Sequence, residues 1–157
     1  MKKNISLTLN DGEQQICKLI AKARFNNNRN NNVKNSKVGE QSNEFTDLEG
    51  IGGEVAFCKM VNAFPDFSIH VRNATEDKGD LVVNNVTIDV KTTKYKNGKL
   101  LAVPWKKSNV ELYVLMVGEF PTYTYKGSMF AKDLLIPERI GNLGRGDTYI
   151  AEQKDLK

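Results

Sequence analysis

The order of helical and extended patterns along this chain predicts a domain of mixed α/β or α+β class with one central sheet. Both long helical patterns begin before residue 50, whereas most extended patterns come later. The length of 157 residues suits one core, and 39% hydrophobic and 27% charged residues are typical of a globular protein. We expect a single domain over 1–157, with an N-terminal helix and loop over 1–45, a core segment over 46–135, and a C-terminal strand and tail over 136–157.

Several protein classes do not fit the composition. No apolar run approaches the roughly 20 residues of a membrane helix, so we expect no membrane association. The N-terminal residues carry charge without a following apolar block, so we expect no secretory signal and a cytoplasmic location. Cys17 and Cys58 are accordingly expected to be reduced thiols.

The first helical pattern runs from Asp11, a candidate N-cap, to Phe25. Its apolar positions follow the i, i+3, i+4, i+7 spacing of an amphipathic helix and are Ile16, Leu19, Ile20 and Ala23. Seven asparagines between Asn26 and Asn35 compete with the backbone for hydrogen bonds, so we expect a mobile loop there.

A second helix is predicted from Thr46 to Ala63, with one stripe formed by Leu48, Ile51, Val55, Cys58 and Asn62. Three glycines (Gly50, Gly52 and Gly53) each cost about 1 kcal/mol of helix propensity relative to alanine. They indicate either a frayed start or a close approach to another part of the backbone.

The extended patterns that follow predict seven strands, at Phe67–Arg72, Gly79–Val83, Val86–Thr93, Leu100–Val103, Leu112–Val117, Thr122–Tyr125 and Thr148–Ala151. A short helix is predicted over Ser128–Leu135. The glycine-rich stretch 141–146 precedes a strand rather than a helix, so it is interpreted as a turn and not as a dinucleotide-binding loop.

The segment from Gly79 to Lys91 predicts a β-hairpin, since Asn84-Asn85 tolerates the positive φ of a two-residue turn. That turn sets the register, which pairs Val83 with Val86, Val82 with Thr87, Leu81 with Ile88, and Asp80 with Asp89. Alternation then makes one face apolar, with Leu81, Val83, Val86, Ile88 and Val90. The opposite face carries Asp80, Val82, Thr87, Asp89 and Lys91.

Two carboxylates facing each other across a sheet repel, so the predicted pair Asp80 and Asp89 needs an offsetting charge. Mg²⁺ prefers such hard oxygen ligands, and Lys91 on the same face could orient a water or stabilise charge on a phosphate. The alternative is a surface hairpin in which Lys91 merely neutralises the acids.

A third carboxylate is expected from the second helix. Glu54 precedes Cys58 and Val61 by one and two turns, which directs it inward, and an unpaired buried carboxylate is costly. The metal site is one candidate partner and a lysine at the helix edge is the other. Glu49 would take the place of Glu54 if the helix were rotated differently.

The order of Glu54 on an early helix, then Asp80, then Asp89-Val90-Lys91 on a hairpin strand resembles the PD-(D/E)XK nuclease superfamily. The small residues around Glu54, the strand from Glu111 to Leu115 and the segment from Tyr125 to Leu135 are similar to its phage-type members. The resemblance covers roughly 47–135, and the first acid follows glycine where the motif has proline.

The resemblance implies a restriction-endonuclease-like fold, with a mixed sheet flanked by helices. It also implies a Mg²⁺-dependent phosphodiesterase, with Mn²⁺ as the alternative ion. Asp80, Asp89 and the Val90 carbonyl would hold the metal, Glu54 would bind the metal or a nearby water, and Lys91 would position the attacking water. The expected substrate is DNA, with RNA left open. A homodimer is an assembly that the resemblance allows, and the cytoplasm would be that of a host cell for a phage-encoded chain.

The charge pattern agrees with a nucleic-acid partner, although lysine runs are commonly just solvated surface. No acid lies between Val90 and Val110, and five lysines there are candidate backbone contacts: Lys94, Lys96, Lys99, Lys106 and Lys107. Tyr95 and Trp105 could stack on bases, although a core position suits Trp105 equally well. Two other functions stay open: a nucleic-acid-binding module that keeps the fold without turnover, and a protein-interaction factor whose acids bind a basic partner.

Overall fold

The computed structural model describes residues 1–31, 43–69 and 76–157, and it confirms the mixed α+β class. The helices in these ranges are α1 (Asp11–Asn30), α2 (Asn43–Met60) and α3 (Ala131–Leu134), with 3₁₀ turns at Pro137–Arg139 and Gln153–Asp155. The strands are β1 (Ser6–Thr8), β2 (Glu76–Asp77), β3 (Leu81–Val83), β4 (Val86–Thr93), β5 (Leu100–Ala102), β6 (Lys107–Ser108), β7 (Leu112–Glu119), β8 (Thr122–Phe130), β9 (Ile140–Asn142) and β10 (Asp147–Ala151).

The central sheet has five strands in the order β1-β8-β7-β4-β3. It is mixed, because β4 and β7 are parallel whereas the other neighbours are antiparallel. A smaller antiparallel sheet, β5-β10-β9, and a parallel pair, β2-β6, complete the pairing within the described ranges. The hairpin strand β3 therefore forms one edge of the central sheet, and β4 lies directly inside it.

Two apolar clusters cover the two faces of this sheet, so the prediction of a mixed sheet flanked by helices is confirmed. The first cluster packs α1 and α2 on one face through residues that include Cys17, Ala21, Ile51 and Val55. The second cluster joins the opposite face to α3, the smaller sheet and the C-terminus, with Leu134 and Ala151 among its buried members. Among the residues that the structure describes, no helix combines the length and apolar composition that crossing a membrane requires.

The first helix is longer than predicted. Its N-cap is Asn10 rather than Asp11, because the Asn10 side chain accepts from Glu13 N while the Glu13 carboxylate accepts from Asn10 N. Residues 26–30, expected in a loop, are helical, and the Asn31 side chain caps the end by donating to the Asn27 carbonyl. The remainder of the predicted loop, 32–35, lies outside the described residues.

The predicted apolar face of α1 is only partly correct, since Ile20 packs on the first cluster and Ala23 is partly buried. Ile16 and Leu19 are exposed, with Leu19 at 69%, whereas Cys17, Ala21 and Asn28 are buried. These three residues follow the i, i+4, i+11 spacing of one helix face, and two of them are small. Close packing against α2 requires small side chains on the buried face of α1. The positions of the larger apolar side chains therefore do not indicate which face of the helix is buried.

The second helix begins at Asn43 instead of Thr46 and ends at Met60 instead of Ala63. Two of its three glycines mark close packing, and the helix already begins seven residues before the first of them, so its start is not frayed there. A Cβ on Gly52 would collide with the Tyr123 ring, and one on Gly53 would collide with the Thr92 side chain. The approach is therefore to side chains of the sheet, which places α2 tightly over β4 and β8.

The strand predictions vary in accuracy. The bounds of β4 agree with the prediction, and those of β5, β7 and β10 differ by one or two residues. Residues 67–69 are not extended into a strand, and the rest of that predicted strand, 70–72, lies outside the described residues. Residues 128–130 belong to β8, so the helix predicted from Ser128 shortens to Ala131–Leu134. Four short strands with little alternation were not predicted: β1, β2, β6 and β9.

Candidate active site

The predicted hairpin is confirmed in its turn and in its register. Asn84 and Asn85 have φ values of 50° and 64°, and the ladder pairs Val83 with Val86, Val82 with Thr87 and Leu81 with Ile88. The apolar face, which contains Ile88 and Val90, packs into the cluster beneath α1 and α2. Alternation along β4 places Asp89 and Lys91 on the opposite face.

The expected pairing of Asp80 with Asp89 is not part of this ladder, which ends at Leu81 and Ile88. Asp80 N donates instead to the Ile88 carbonyl at 2.8 Å, and Asp80 Oδ2 accepts from Val90 N at 2.6 Å. The carboxylate of Asp80 therefore occupies the edge of β4 just beyond the start of β3. Because both backbone groups of a strand residue point to the same side, the Val90 carbonyl faces this edge too.

Asp89 and Lys91 form an ion pair on the face of β4 opposite to Ile88 and Val90, as their spacing predicts. Lys91 Nζ lies 2.5 Å from Asp89 Oδ2, and the Asp89 side chain is only 5% exposed. The contact lacks hydrogen-bond geometry, and within the described part of the chain Asp89 Oδ2 accepts no hydrogen bond. A buried carboxylate oxygen is thus compensated by a cation alone.

Asp80 lies in a strongly negative environment. Its own burial and the nearby carboxylates of Glu54 and Asp89 raise the pKa of Asp80 well above its usual range. The Lys91 ammonium and the hydrogen bond from Val90 N act in the opposite direction without cancelling this effect. The fold therefore places carboxylates close together at the start of β3, where an added cation would be stabilised.

Glu54 on α2 forms an ion pair with an arginine of α1. Arg24 Nη1, from α1, lies 3.3 Å from Glu54 Oε2, and both side chains are about one-fifth exposed, at 21% and 19%. Glu49, the alternative to Glu54, is buried elsewhere and accepts from Phe120 N at 2.8 Å and from the Tyr123 hydroxyl at 3.3 Å. Glu49 thus serves the packing of α2 on the β7–β8 turn.

The donors at the β3–β4 edge fit a Mg²⁺ ion in chemistry but do not form a three-carboxylate set. Asp80, Asp89 and the Val90 carbonyl supply the hard oxygen atoms that Mg²⁺ prefers, with water completing its shell. In the described ranges, no group of three or more His, Cys, Asp or Glu side chains is arranged to hold a metal ion. Glu54 as a metal ligand therefore stays a prediction, and the Arg24 contact would have to be shared or released.

The five lysines expected to bind nucleic acid differ in their surroundings. Lys96 and Lys107 are exposed, whereas Lys94, Lys99 and Lys106 are partly buried. Lys99 Nζ lies 2.6 Å from Glu152 Oε1, and Lys94 Nζ lies 5.6 Å from the centre of the Tyr95 ring. The predicted turn at Asn97-Gly98 is present and is closed by a hydrogen bond from Gly98 N to Tyr95 O.

Both aromatic candidates in this lysine-rich segment lie at the surface. Trp105 is 60% exposed, which excludes the core position that the sequence left open, and Tyr95 is 48% exposed. The segment thus offers exposed cations beside exposed rings, the combination that single-stranded nucleic-acid sites use.

The two cysteines are free and buried, in agreement with the expectation of reduced thiols. Burial raises the pKa of Cys17 to about 11 and that of Cys58 to about 12, with further contributions from neighbouring carboxylates. Both thiols stay protonated at neutral pH, so neither is a candidate nucleophile.

Sequence reasoning missed two residues near the site, Arg24 and Phe64. Besides Glu54, Arg24 bonds the carbonyl oxygens of Asp66 at 2.7 Å and Ser68 at 3.2 Å. Placing the helix phase on Cys17 and Ala21 would have put Arg24 on the inward face. Phe64 follows α2 and is 84% exposed, which no periodic pattern would have indicated.

Comparison of the chain with models of protein families, with curated proteins and with solved structures finds no significant match. The PD-(D/E)XK resemblance therefore depends on the order and placement of Glu54, Asp80, Asp89 and Lys91 alone.

Proposed function

We propose that this chain is a Mg²⁺-dependent nuclease of restriction-endonuclease-like fold that hydrolyses phosphodiester bonds in DNA. The single observation that carries the proposal is the cluster at the β3–β4 edge. There Asp80 Oδ2 accepts a hydrogen bond from Val90 N, and the buried Asp89 carboxylate forms an ion pair with Lys91.

Each residue has a role that its position allows. Asp80, Asp89 and the Val90 carbonyl would hold Mg²⁺ or Mn²⁺, which supplies the charge that acidifies an attacking water and neutralises the phosphate. Lys91 Nζ contacts Asp89 Oδ2, so its ammonium lies beside the carboxylate that would help to hold the metal. From there Lys91 would orient the water and donate to a phosphate oxygen.

The cleavage experiment uses supercoiled plasmid, linear duplex, single-stranded and branched DNA, with an RNA strand in parallel, in Mg²⁺ or Mn²⁺. We expect Asp89→Asn to lower the rate by about a hundredfold or more, because it removes a charged ligand while keeping the side-chain shape. Asp133→Asn is the matched control, since Asp133 is an exposed aspartate on α3. Cleavage that persists unchanged in Asp89→Asn would refute the proposal.

A second candidate function is a nucleic-acid-binding module without turnover. It is favoured by the Lys91–Asp89 ion pair, which neutralises the buried carboxylate without a metal. It predicts salt-sensitive DNA binding by the wild-type chain with no cleavage in either metal and no response to Mg²⁺ in titration calorimetry.

A further inference from the structure

Phe64 is the starting point, because most of its ring lies outside the core. It is 84% exposed, more than any other large hydrophobic residue in the described part of the chain. Covering this exposed apolar area with a ligand would be favourable in water.

The backbone holds Phe64 in a defined position. Asn62, at φ 55°, ends α2 in a Schellman motif, in which Ala63 N donates to Cys58 O at 2.8 Å and Asn62 N to Lys59 O at 3.4 Å. The direction in which the chain leaves α2 toward Phe64 is therefore fixed by hydrogen bonds.

The segment beyond Phe64 is anchored as well. The Phe67 ring packs edge-on against Phe64 with ring centres 5.8 Å apart, and Phe67 itself rests on the apolar cluster under the helices. Arg24 bonds the carbonyl oxygens of Asp66 and Ser68, which ties the segment to α1. An exposed ring on such an anchored support is pre-organised to receive a flat partner.

Phe64 shares a cleft with Asp80. Residues 61–68 form one wall and residues 80–84 form the other, around a volume of about 840 Å³. Val82, 64% exposed on β3, adds an apolar side chain to the second wall. The cleft is open to solvent and has room for a nucleotide.

We propose that Phe64, with Val82 across the cleft, stacks on an unpaired nucleobase of the strand whose phosphate lies at Asp80. This inference rests on the proposed function and adds a substrate class to it: nucleic acid that is single-stranded or locally unpaired beside the cleavage point. An aromatic ring and an apolar side chain are the usual surroundings of a base removed from its stack. In an intact duplex the base faces are covered by their neighbours, so a matched duplex would have to be opened first.

The test measures equilibrium binding in Ca²⁺, to avoid cleavage, of a labelled 12-mer containing 2-aminopurine, both as a single strand and as a matched duplex. We expect Phe64→Ala to weaken single-strand binding by roughly ten- to a hundredfold and duplex binding much less. Stacking should quench 2-aminopurine fluorescence with wild type and with Phe64→Trp, and the quenching should disappear with Phe64→Ala.

Phe130→Ala is the matched control, because Phe130 is an exposed phenylalanine (49%) at the end of β8 that does not line this cleft. Single-strand affinity of Phe64→Ala within twofold of wild type, equal losses in Phe64→Ala and Phe130→Ala, or equal losses for single strand and duplex would each overturn the inference. Cleavage is scored separately in Mg²⁺. If the wild-type chain never cuts but stacking is lost in Phe64→Ala, the nuclease proposal is refuted and the base site is kept. If the wild-type chain cuts but Phe64→Ala keeps its stacking and affinity, only the base site is refuted.

Discussion

Gly53 is a residue whose missing side chain decides how α2 packs on the sheet. A Cβ at this position would collide with the Thr92 side chain on β4. We expect Gly53→Ala to lower the free energy of unfolding by about 1–3 kcal/mol, because the helix must shift away from β4. Urea denaturation followed by circular dichroism measures the change.

The matched control for Gly53→Ala lies in the same helix. Gly50 has no other atom within 4 Å of the position of an added Cβ, so Gly50→Ala should stabilise the chain by about 0.5–1 kcal/mol through helix propensity. Equal effects of the two substitutions would contradict the packing of α2 on Thr92.

Glu49 gives a pH dependence with a definite sign. Its burial raises its pKa above the ordinary value of 4.5, against the hydrogen bonds from Phe120 N and the Tyr123 hydroxyl. The folded state therefore prefers the protonated form. The stability that protonated Glu49 contributes is complete at pH values below the pKa of this group in the unfolded chain. That contribution is lost as the pH rises through the higher pKa of the group in the folded chain.

We accordingly expect Glu49→Gln, compared with wild type, to gain relative stability as the pH increases from 4.5 upward, since glutamine cannot ionise. Urea midpoints between about pH 4 and 8 measure the difference. Glu44→Gln, at an exposed glutamate of the same helix, is the matched control. A difference for Glu49→Gln that does not vary with pH would show that this carboxyl titrates normally.

At the scale of elements, one side chain of α1 joins α2 to the segment that follows it. Arg24 bonds Glu54 on α2 and two backbone carbonyls of the segment 66–68. We expect Arg24→Met, which keeps an apolar stem, to cost about 1.5–3 kcal/mol because these bonds involve a charged donor. Urea unfolding measures the loss. Lys22→Met, at an exposed lysine of the same helix, should stay near wild type.

The hairpin and α1 show which elements can be predicted from the chain. The bounds of β4, the turn at Asn84-Asn85 and three of the four predicted pairs all follow from local rules, namely alternation and turn conformation. The face of α1 does not follow from them, because Ile16 and Leu19 match helical spacing as well as Cys17 and Ala21 do. Contact with α2 chooses between the two faces, and that contact is remote in sequence.

At the scale of the whole molecule, the basic segment after β4 predicts a salt-dependent affinity for DNA. Lys96 and Lys107 are exposed, whereas the charge of Lys99 is already paired with Glu152. We expect Lys96→Ala and Lys107→Ala each to reduce the slope of log K against log salt by about 0.7–0.9, and Lys99→Ala to reduce it less. Fluorescence anisotropy with a labelled oligonucleotide at four salt concentrations measures the slopes.

The control for the salt series is Lys132→Ala, at an exposed lysine of α3 outside the basic segment. If all four substitutions changed the slope equally, the binding would reflect net charge and not this surface. An unchanged slope in Lys96→Ala and Lys107→Ala would remove the segment from the interface.

The candidate site likewise has features that local sequence rules predict and features that depend on tertiary contacts. Sequence alternation was enough to predict that Asp89 and Lys91 share a face and that the reverse face is apolar, since both depend only on the pleat of one strand. The position of Asp80 at the strand edge, the Arg24 contact to Glu54 and the cleft beside Phe64 come from elements that meet only on folding. Periodicity records relations along a segment, whereas the direction of a carboxylate beyond a strand end depends on which backbone donor lies next to it in space.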